Sequence, residues 1–332
     1  MRHGGDLAAG EAAFGRPREG WLDLSTGVNP HAYPVPPFAP ERLTRLPEKP
    51  EIDELLAVAR AAYGWSADIP VAAGPGAQAM IQLLPYLRVR GEVAVLGRTY
   101  GEHAYVWARA GHVVREARTL QKAEEAQVVV VVNPDNPTGR TVPPEELAAL
   151  AETLAARDGL LVVDEAFADV TPEIALGDRV KSRGMVVLRS FGKFYGLAGL
   201  RLGFAAGDEE MVTELAGELG PWPVSGPAIA AGRAALADGG WAAGMRVRLV
   251  ADSMRLDAAL ARGGFTGLRG CGLFRTGRHE RAGAVHRSLA EAGIWCRAFD
   301  NRPNQLRFGI PGDDAAFERL ESALISAFEQ AL

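Results

Sequence analysis

Apolar residues recur at helical spacing between Glu51 and Tyr63, in IDELLAVARAAY, and again after Gly76 in AQAMIQLLPYL, so both stretches are expected to be amphipathic helices. From there the pattern changes. Short β-branched runs (EVAVLG, QVVVVVN, GLLVVDEAF and MVVLRS) alternate with stretches of helical spacing, among them Ala104 to Ala110 and PPEELAALAETLAARD. The run Val128 to Val132 is apolar at every position. A strand with one wet face would alternate, so this one is expected to be covered on both sides, inside a parallel sheet flanked by helices. The helix after it is marked by Pro143 and Pro144, with Glu145 and Glu146 at the positive end of the helix dipole. Beyond Gly207 the pattern is mostly helical, with a long stretch from Trp241 to Ala261, and then come the strand-like CGLFRT, GIWCRAF and QLRFGIP. The first 40 residues, with Gly4, Gly5, WLDLS and the proline-rich NPHAYPVPPFAP, read as an extended arm with turns.

The pattern therefore predicts an α/β chain: a large domain with a mostly parallel sheet flanked by helices, plus a small α+β domain. A length of 332 residues suits two domains, because single cores stop growing at roughly 250 to 300 residues. The expected division is 40–230 for the large domain, with the arm 1–39 and residues 231–332 forming the small one. Composition excludes more than it assigns. Apolar residues make up 48% and charged residues 23%, the balance of a soluble globular protein. The N-terminal stretch has no continuous apolar run, and no segment approaches the ~18 apolar residues of a membrane span, so a cytoplasmic protein without membrane contact is expected. A net charge of -5 without long single-sign blocks gives no footprint for nucleic acid. Cys271 and Cys296 stand apart from any second ligand at metal spacing, so no metal is expected and both read as buried small hydrophobes.

In open α/β sheets, ligands gather at the carboxyl ends of strands. After VVVVV comes NPDNPTG (Asn133 to Gly139), after LLVV come Asp164 and Glu165, and after MVVL comes RSFGKFYGLAGLRLGF with Ser190, Lys193 and Arg201. Taken singly, each has a plain alternative: Asn133 and Asn136 among prolines also fit a turn, Asp164 a helix cap, and Lys193 a solvated side chain. Together they match the needs of a pyridine cofactor, which requires a carboxylate at its ring nitrogen, a donor to its ring hydroxyl, an amine for its aldehyde and a cation for its phosphate. Asp164, Asn136, Lys193 and Arg201 supply these one for one. GPGAQ (Gly74 to Gln78) opens a helix, whose first N–H groups favour an anion.

NPDNPTG, VVDEAF and RSFGKFYGLAGLRLG resemble the signature segments of the class I and II aminotransferases, a pyridoxal 5′-phosphate (PLP) family of fold type I. The resemblance spans most of the chain. It implies that Asn136 hydrogen-bonds the ring hydroxyl, Asp164 pairs with the ring nitrogen, Lys193 binds the aldehyde and Arg201 grips the phosphate. It also implies that Gly76, Ala77 and Gln78 form the phosphate cup with Ser190 beside it, that Tyr100 stacks on the ring, and that the protein is a homodimer. Three positions depart from the family. Phe167 and Leu46 each stand where relatives often carry a tyrosine, and Gly192 stands where they often carry Ser or Thr.

The N-terminal RHGG followed by LDLSTGVNPHAYP is similar to the start of the L-threonine-O-3-phosphate decarboxylases of cobalamin synthesis, and RSFGKFYGLAGLRLGF also fits that group best; the histidinol-phosphate aminotransferases share the rest. The first resemblance implies a phosphorylated amino acid as substrate, decarboxylated to (R)-1-amino-2-propanol O-2-phosphate. His3, Gly4, Gly5 and Asn29 would then fold over the site, with Arg297 at the substrate phosphate and Arg307 at its carboxylate. The second implies an aminotransferase that needs a 2-oxo acid.

Overall fold

The structure is a computed structural model that describes residues 4–181 and 183–329. In chain order its strands are β1 (Leu22–Leu24), β2 (Val71–Gly74), β3 (Glu92–Leu96), β4 (Val113–Ala117), β5 (Val128–Val132), β6 (Leu160–Asp164), β7 (Met185–Ser190), β8 (Gly203–Gly207), β9 (Thr266–Cys271), β10 (Phe274–Arg278), β11 (Ile294–Ala298) and β12 (Gln305–Gly309). The chain divides into two units. The larger takes in Ala32–Asn136 and Arg140–Ala242, and the smaller the described residues of Met1–His31, Pro137–Gly139 and Ala243–Leu332.

The larger unit is built on a sheet of order β2-β8-β7-β6-β5-β3-β4. Strands β3 to β7 run parallel, and only β8 opposes its neighbours β2 and β7. Every residue of β5, β6 and β8 is buried, as helices on both faces demand. Met80, Ile81, Leu84 and Trp107 pack against Val93, Val130, Val162 and Val186 on one side of this sheet. The helix Lys49–Tyr63 starts in a reciprocal cap between Glu48 and Glu51 and stops at Gly64 in the left-handed region. The second predicted helix is shorter than its apolar spacing. It runs from Ala77 to Leu83 and tightens into a 3-10 turn, Leu84–Leu87, at Pro85, which has no N–H to continue the helical ladder.

The smaller unit carries the sheet β1-β11-β12-β10-β9. Two sequence expectations are corrected here. CGLFRT is not one strand: Cys271 pairs with Phe274, so Gly272 and Leu273 form the turn of a β9–β10 hairpin. The N-terminal arm is not wholly extended, for Leu7–Phe14 is a helix whose first turn is capped by the Asp6 carboxylate accepting from the Ala9 N–H. Its WLDLS stretch supplies β1, parallel to β11. Among the described residues, no helix is long and apolar enough to cross a membrane.

Candidate active site

In the larger unit the sheet order reverses between β3 and β5, and the loops after their carboxyl ends carry Tyr100 and Asn136. The Thr99 hydroxyl joins the two loops by donating to the Asn136 carbonyl at 3.4 Å. Asp164 ends β6, and Ser190 ends β7 and begins the short helix Phe191–Phe194 that presents Lys193. A cavity of about 250 Å³ opens at this edge, lined by Gly76, Ala77, Gln78, Tyr100, Asn136, Asp164, Ser190, Lys193 and Arg201. All the cofactor candidates named from the sequence thus face one space.

Close backbone approach shapes the floor of that space. Gly203 on β8 pairs with both Gly74 and Ser190, and a Cβ on it would lie 2.4 Å from the Ala77 nitrogen. Only glycine lets the Gly76–Ala77 turn rest on the strand. Gly76 has φ +82, and a Cβ there would come within 2.7 Å of an Arg201 guanidinium nitrogen. Arg201 itself has φ 54, a left-handed conformation that costs a residue with a Cβ roughly 1–3 kcal/mol and turns up where a side chain must be aimed. Gly192 has a comparable cause: a side chain there would stand 2.6 Å from the Ala198 Cα, so the Ser or Thr of relatives has no room. Asn133 keeps its plain role, its buried amide bracing the loop through Val142 and the Ile174 carbonyl.

The Asp164 carboxylate is buried with His103, whose Nε2 lies 2.8 Å from Oδ2, while Oδ1 accepts from the Ala166 N–H at 3.0 Å. His103 was not singled out from the sequence. Its signal was its place three residues after Tyr100 on the helix Gly101–Arg109, which puts the two side chains on one face. Tyr100 donates its hydroxyl to Gln78 Oε1 at 3.0 Å, and the Gln78 amide donates to Glu102 at 3.1 Å. The ammonium of Lys193 lies 5.7 Å from the Phe167 ring centre, so the missing tyrosine hydroxyl leaves an aromatic face toward the lysine.

Behind the cavity lies a second group of charges that sequence reading missed. Arg189, one residue before Ser190, donates at 2.8 Å to Glu165, one residue after Asp164, and at 2.8 Å to Asp169. Its guanidinium also covers the Tyr63 ring at 4.2 Å. All three charged side chains are buried. Burial pushes the Glu165 carboxyl above its ordinary range, an effect that Arg189 opposes. Burial alone would lower the guanidinium, but the two carboxylates outweigh it and hold Arg189 charged.

The substrate candidates lie in the smaller unit, except His3, which is outside the described residues. Arg297 on β11 pairs in register with Arg307 on β12, and Arg307 donates to the Ser25 carbonyl at 2.6 Å. The Gly5 N–H donates to the Ser25 hydroxyl, and Asn29 accepts from the His31 N–H. Cys271 and Cys296 are buried free thiols, and burial pushes Cys271 up to about 11.

A phosphorylated pyridine fits the cavity of the larger unit on two observations. A buried carboxylate with a histidine behind it offers a fixed negative partner for a ring N–H, and the glycine cradle leaves backbone N–H groups and Arg201 facing one small volume suited to a phosphate. Residues 65–324 match the model of the family described as aminotransferase class I and II. The chain is 43% identical over 334 residues to a threonine-phosphate decarboxylase of Pseudomonas aeruginosa, covering 100% of this chain and 99% of that one. It is 41% identical over 325 residues to a threonine-phosphate decarboxylase of Sinorhizobium sp, covering 97% of each. Among solved structures, the histidinol-phosphate aminotransferase of Sinorhizobium meliloti in complex with pyridoxal-5′-phosphate superposes with a TM-score of 0.82 at 22% identity, over 98% of this chain and 95% of that one.

Proposed function

The chain belongs to the class I and II aminotransferase family, and from that premise we propose that it is a PLP-dependent lyase that decarboxylates L-threonine O-3-phosphate to (R)-1-amino-2-propanol O-2-phosphate, a step of cobalamin biosynthesis. The observation that carries this reading is the end-to-end similarity, at 43% identity, to a protein named for that activity.

In this reading residues 40–230 hold the cofactor, while the arm and the C-terminal domain select the substrate. Gly76, Ala77, Gln78, Ser190 and Arg201 hold the phosphate, Asn136 donates to the ring hydroxyl, and Tyr100 covers the ring, its hydroxyl kept in place by Gln78. When bound, PLP supplies an electron sink for the pair released as a bond at the substrate Cα breaks. Asp164 would keep a proton on the ring nitrogen, and His103, 2.8 Å from its Oδ2, fixes the direction of the carboxylate. Lys193 would offer the amine that takes the cofactor aldehyde, and the same amine would be the group that returns a proton to the substrate Cα. Arg307 and Asn29 hold the substrate carboxylate, and the direction in which they hold it selects carbon dioxide loss over proton loss. Arg297, with His3, Gly4 and Gly5, holds the substrate phosphate.

The protein acts as a cytoplasmic homodimer in this account. Leu43 and Leu46 are 71% and 63% exposed on the larger unit, an apolar pair suited to cover by a second copy. Leu46 has no hydroxyl to offer that copy's phosphate.

The experiment that tests the substrate assignment compares two amino acids. Arg297→Ala is expected to raise KM for L-threonine O-3-phosphate on the order of 30-fold or more relative to unphosphorylated L-threonine, the cost of unpairing one desolvated charge. Equal losses for both substrates would remove Arg297 from the phosphate site.

A further inference from the structure

Ser25 uses every polar group it has. Its hydroxyl donates to Asp23 Oδ1 at 2.6 Å and accepts from the Gly5 N–H at 2.7 Å. Its own N–H donates to the same Asp23 oxygen at 2.8 Å, and its carbonyl accepts from the Arg307 guanidinium at 2.6 Å. Ser25 is 1% exposed, so its own polar atoms are shielded from water and costly to leave unpaired, although Asp23 is only half-buried and Gly5 is exposed. The neighbouring Gly4 is equally constrained, because a Cβ there would lie 2.2 Å from the Ser25 carbonyl oxygen. The turn Gly4–Gly5 is therefore seated on the chain just past β1.

Position adds to this. Leu24 pairs with Cys296, and the next residue of β11, Arg297, pairs with Arg307. Ser25 thus follows directly on the strand position that leads into the row of two arginines. The Asp23 carboxylate accepts a charge-assisted hydrogen bond from the hydroxyl, which leaves the oxygen lone pairs for the Gly5 N–H. Asp23 sets the polarity of the hydroxyl contact that holds the arm, while the main-chain carbonyl of Ser25 holds Arg307.

We propose that Ser25, oriented by Asp23, is a positioning residue that latches the N-terminal Gly4–Gly5 turn beside Arg307, and that this latch sets the enzyme's affinity for its phosphorylated substrate. The proposal rests on the decarboxylase reading for the identity of that substrate. Ser25 itself touches neither cofactor nor substrate. It acts by keeping the arm and the arginine in a fixed relation, so that the arm need not be ordered anew each time an anion binds.

The test uses the PLP-loaded full chain with Ser25→Ala, Ser25→Thr and Gly4→Ala. Ser25→Ala is expected to raise KM for L-threonine O-3-phosphate on the order of tenfold, as loss of a buried hydrogen bond implies, with kcat within about threefold and the visible absorbance of the cofactor unchanged. Amide exchange of the helix Leu7–Phe14 should accelerate in the same variant. Ser25→Thr keeps a hydroxyl and should restore both readings, whereas Gly4→Ala, whose Cβ would meet the Ser25 carbonyl, should accelerate exchange of the same helix. Unchanged KM and unchanged exchange in Ser25→Ala would overturn the proposal, as would parallel losses in kcat and cofactor absorbance, which mark a general packing role. Absence of turnover in the unmodified enzyme would overturn the decarboxylase reading instead, and exchange in the variants would still decide whether Ser25 holds the arm.

Discussion

Lys193→Ala is expected to abolish the visible absorbance of the bound cofactor and to lower kcat by at least on the order of a thousandfold, the two losses appearing together. The reason lies in how the lysine is presented. Ser190 closes β7, and the one-turn helix Phe191–Phe194 follows at once, with both phenylalanines buried and Gly192 pressed against Ala198. That packing fixes the backbone of Lys193 and leaves only its side chain to move in the cavity. Among the described residues no other lysine lines the cavity, so none of them is placed to substitute for it. The check is an absorbance spectrum and a turnover assay on the same purified sample, with phosphate-site occupancy followed by retention of added PLP. Full turnover without Lys193 would sink its assigned role.

The second large effect is one of stability. Arg189→Leu should destabilise the protein by about 3–5 kcal/mol, because it leaves Glu165 and Asp169 buried without their countercharge. Glu165 follows Asp164 and Arg189 precedes Ser190, so the loosened ends of β6 and β7 should also weaken PLP binding. Replacing Glu165 and Asp169 by Leu in the same chain should recover most of the stability, since a wholly apolar substitute removes the buried charge altogether. The midpoint of urea unfolding reports both. A single replacement that shifts stability by less than about 1 kcal/mol would show that water reaches the cluster and screens it.

Much of this was legible in the sequence because it is local. The unbroken Val128–Val132 run and the chemistry-bearing residues after successive strands carry the parallel sheet and its ligand edge without reference to distant parts of the chain. What the sequence left hidden depends on meetings across the fold. Arg189 lies in a strand whose letters MVVLRS put one charge near its end, and its burial follows only because Glu165 and Asp169 arrive 24 and 20 positions away. His103 looks like a polar residue on an ordinary helix until Asp164 meets it from β6. The β9–β10 hairpin was read as one strand because Gly272 and Leu273 lack the usual Asn-Gly signal of a tight turn. The helix Leu7–Phe14 is only 8 residues long and alanine-rich, so its apolar spacing is faint and its stability comes from the Asp6 cap and from packing.

The most direct test of the account is carbon dioxide release from L-threonine O-3-phosphate by the PLP-loaded protein with no 2-oxo acid present. Release over many turnovers, with (R)-1-amino-2-propanol O-2-phosphate as the product, is the result predicted. No release, together with turnover of histidinol phosphate or another amine donor that depends on an added 2-oxo acid, would contradict the decarboxylase reading and make the protein an aminotransferase.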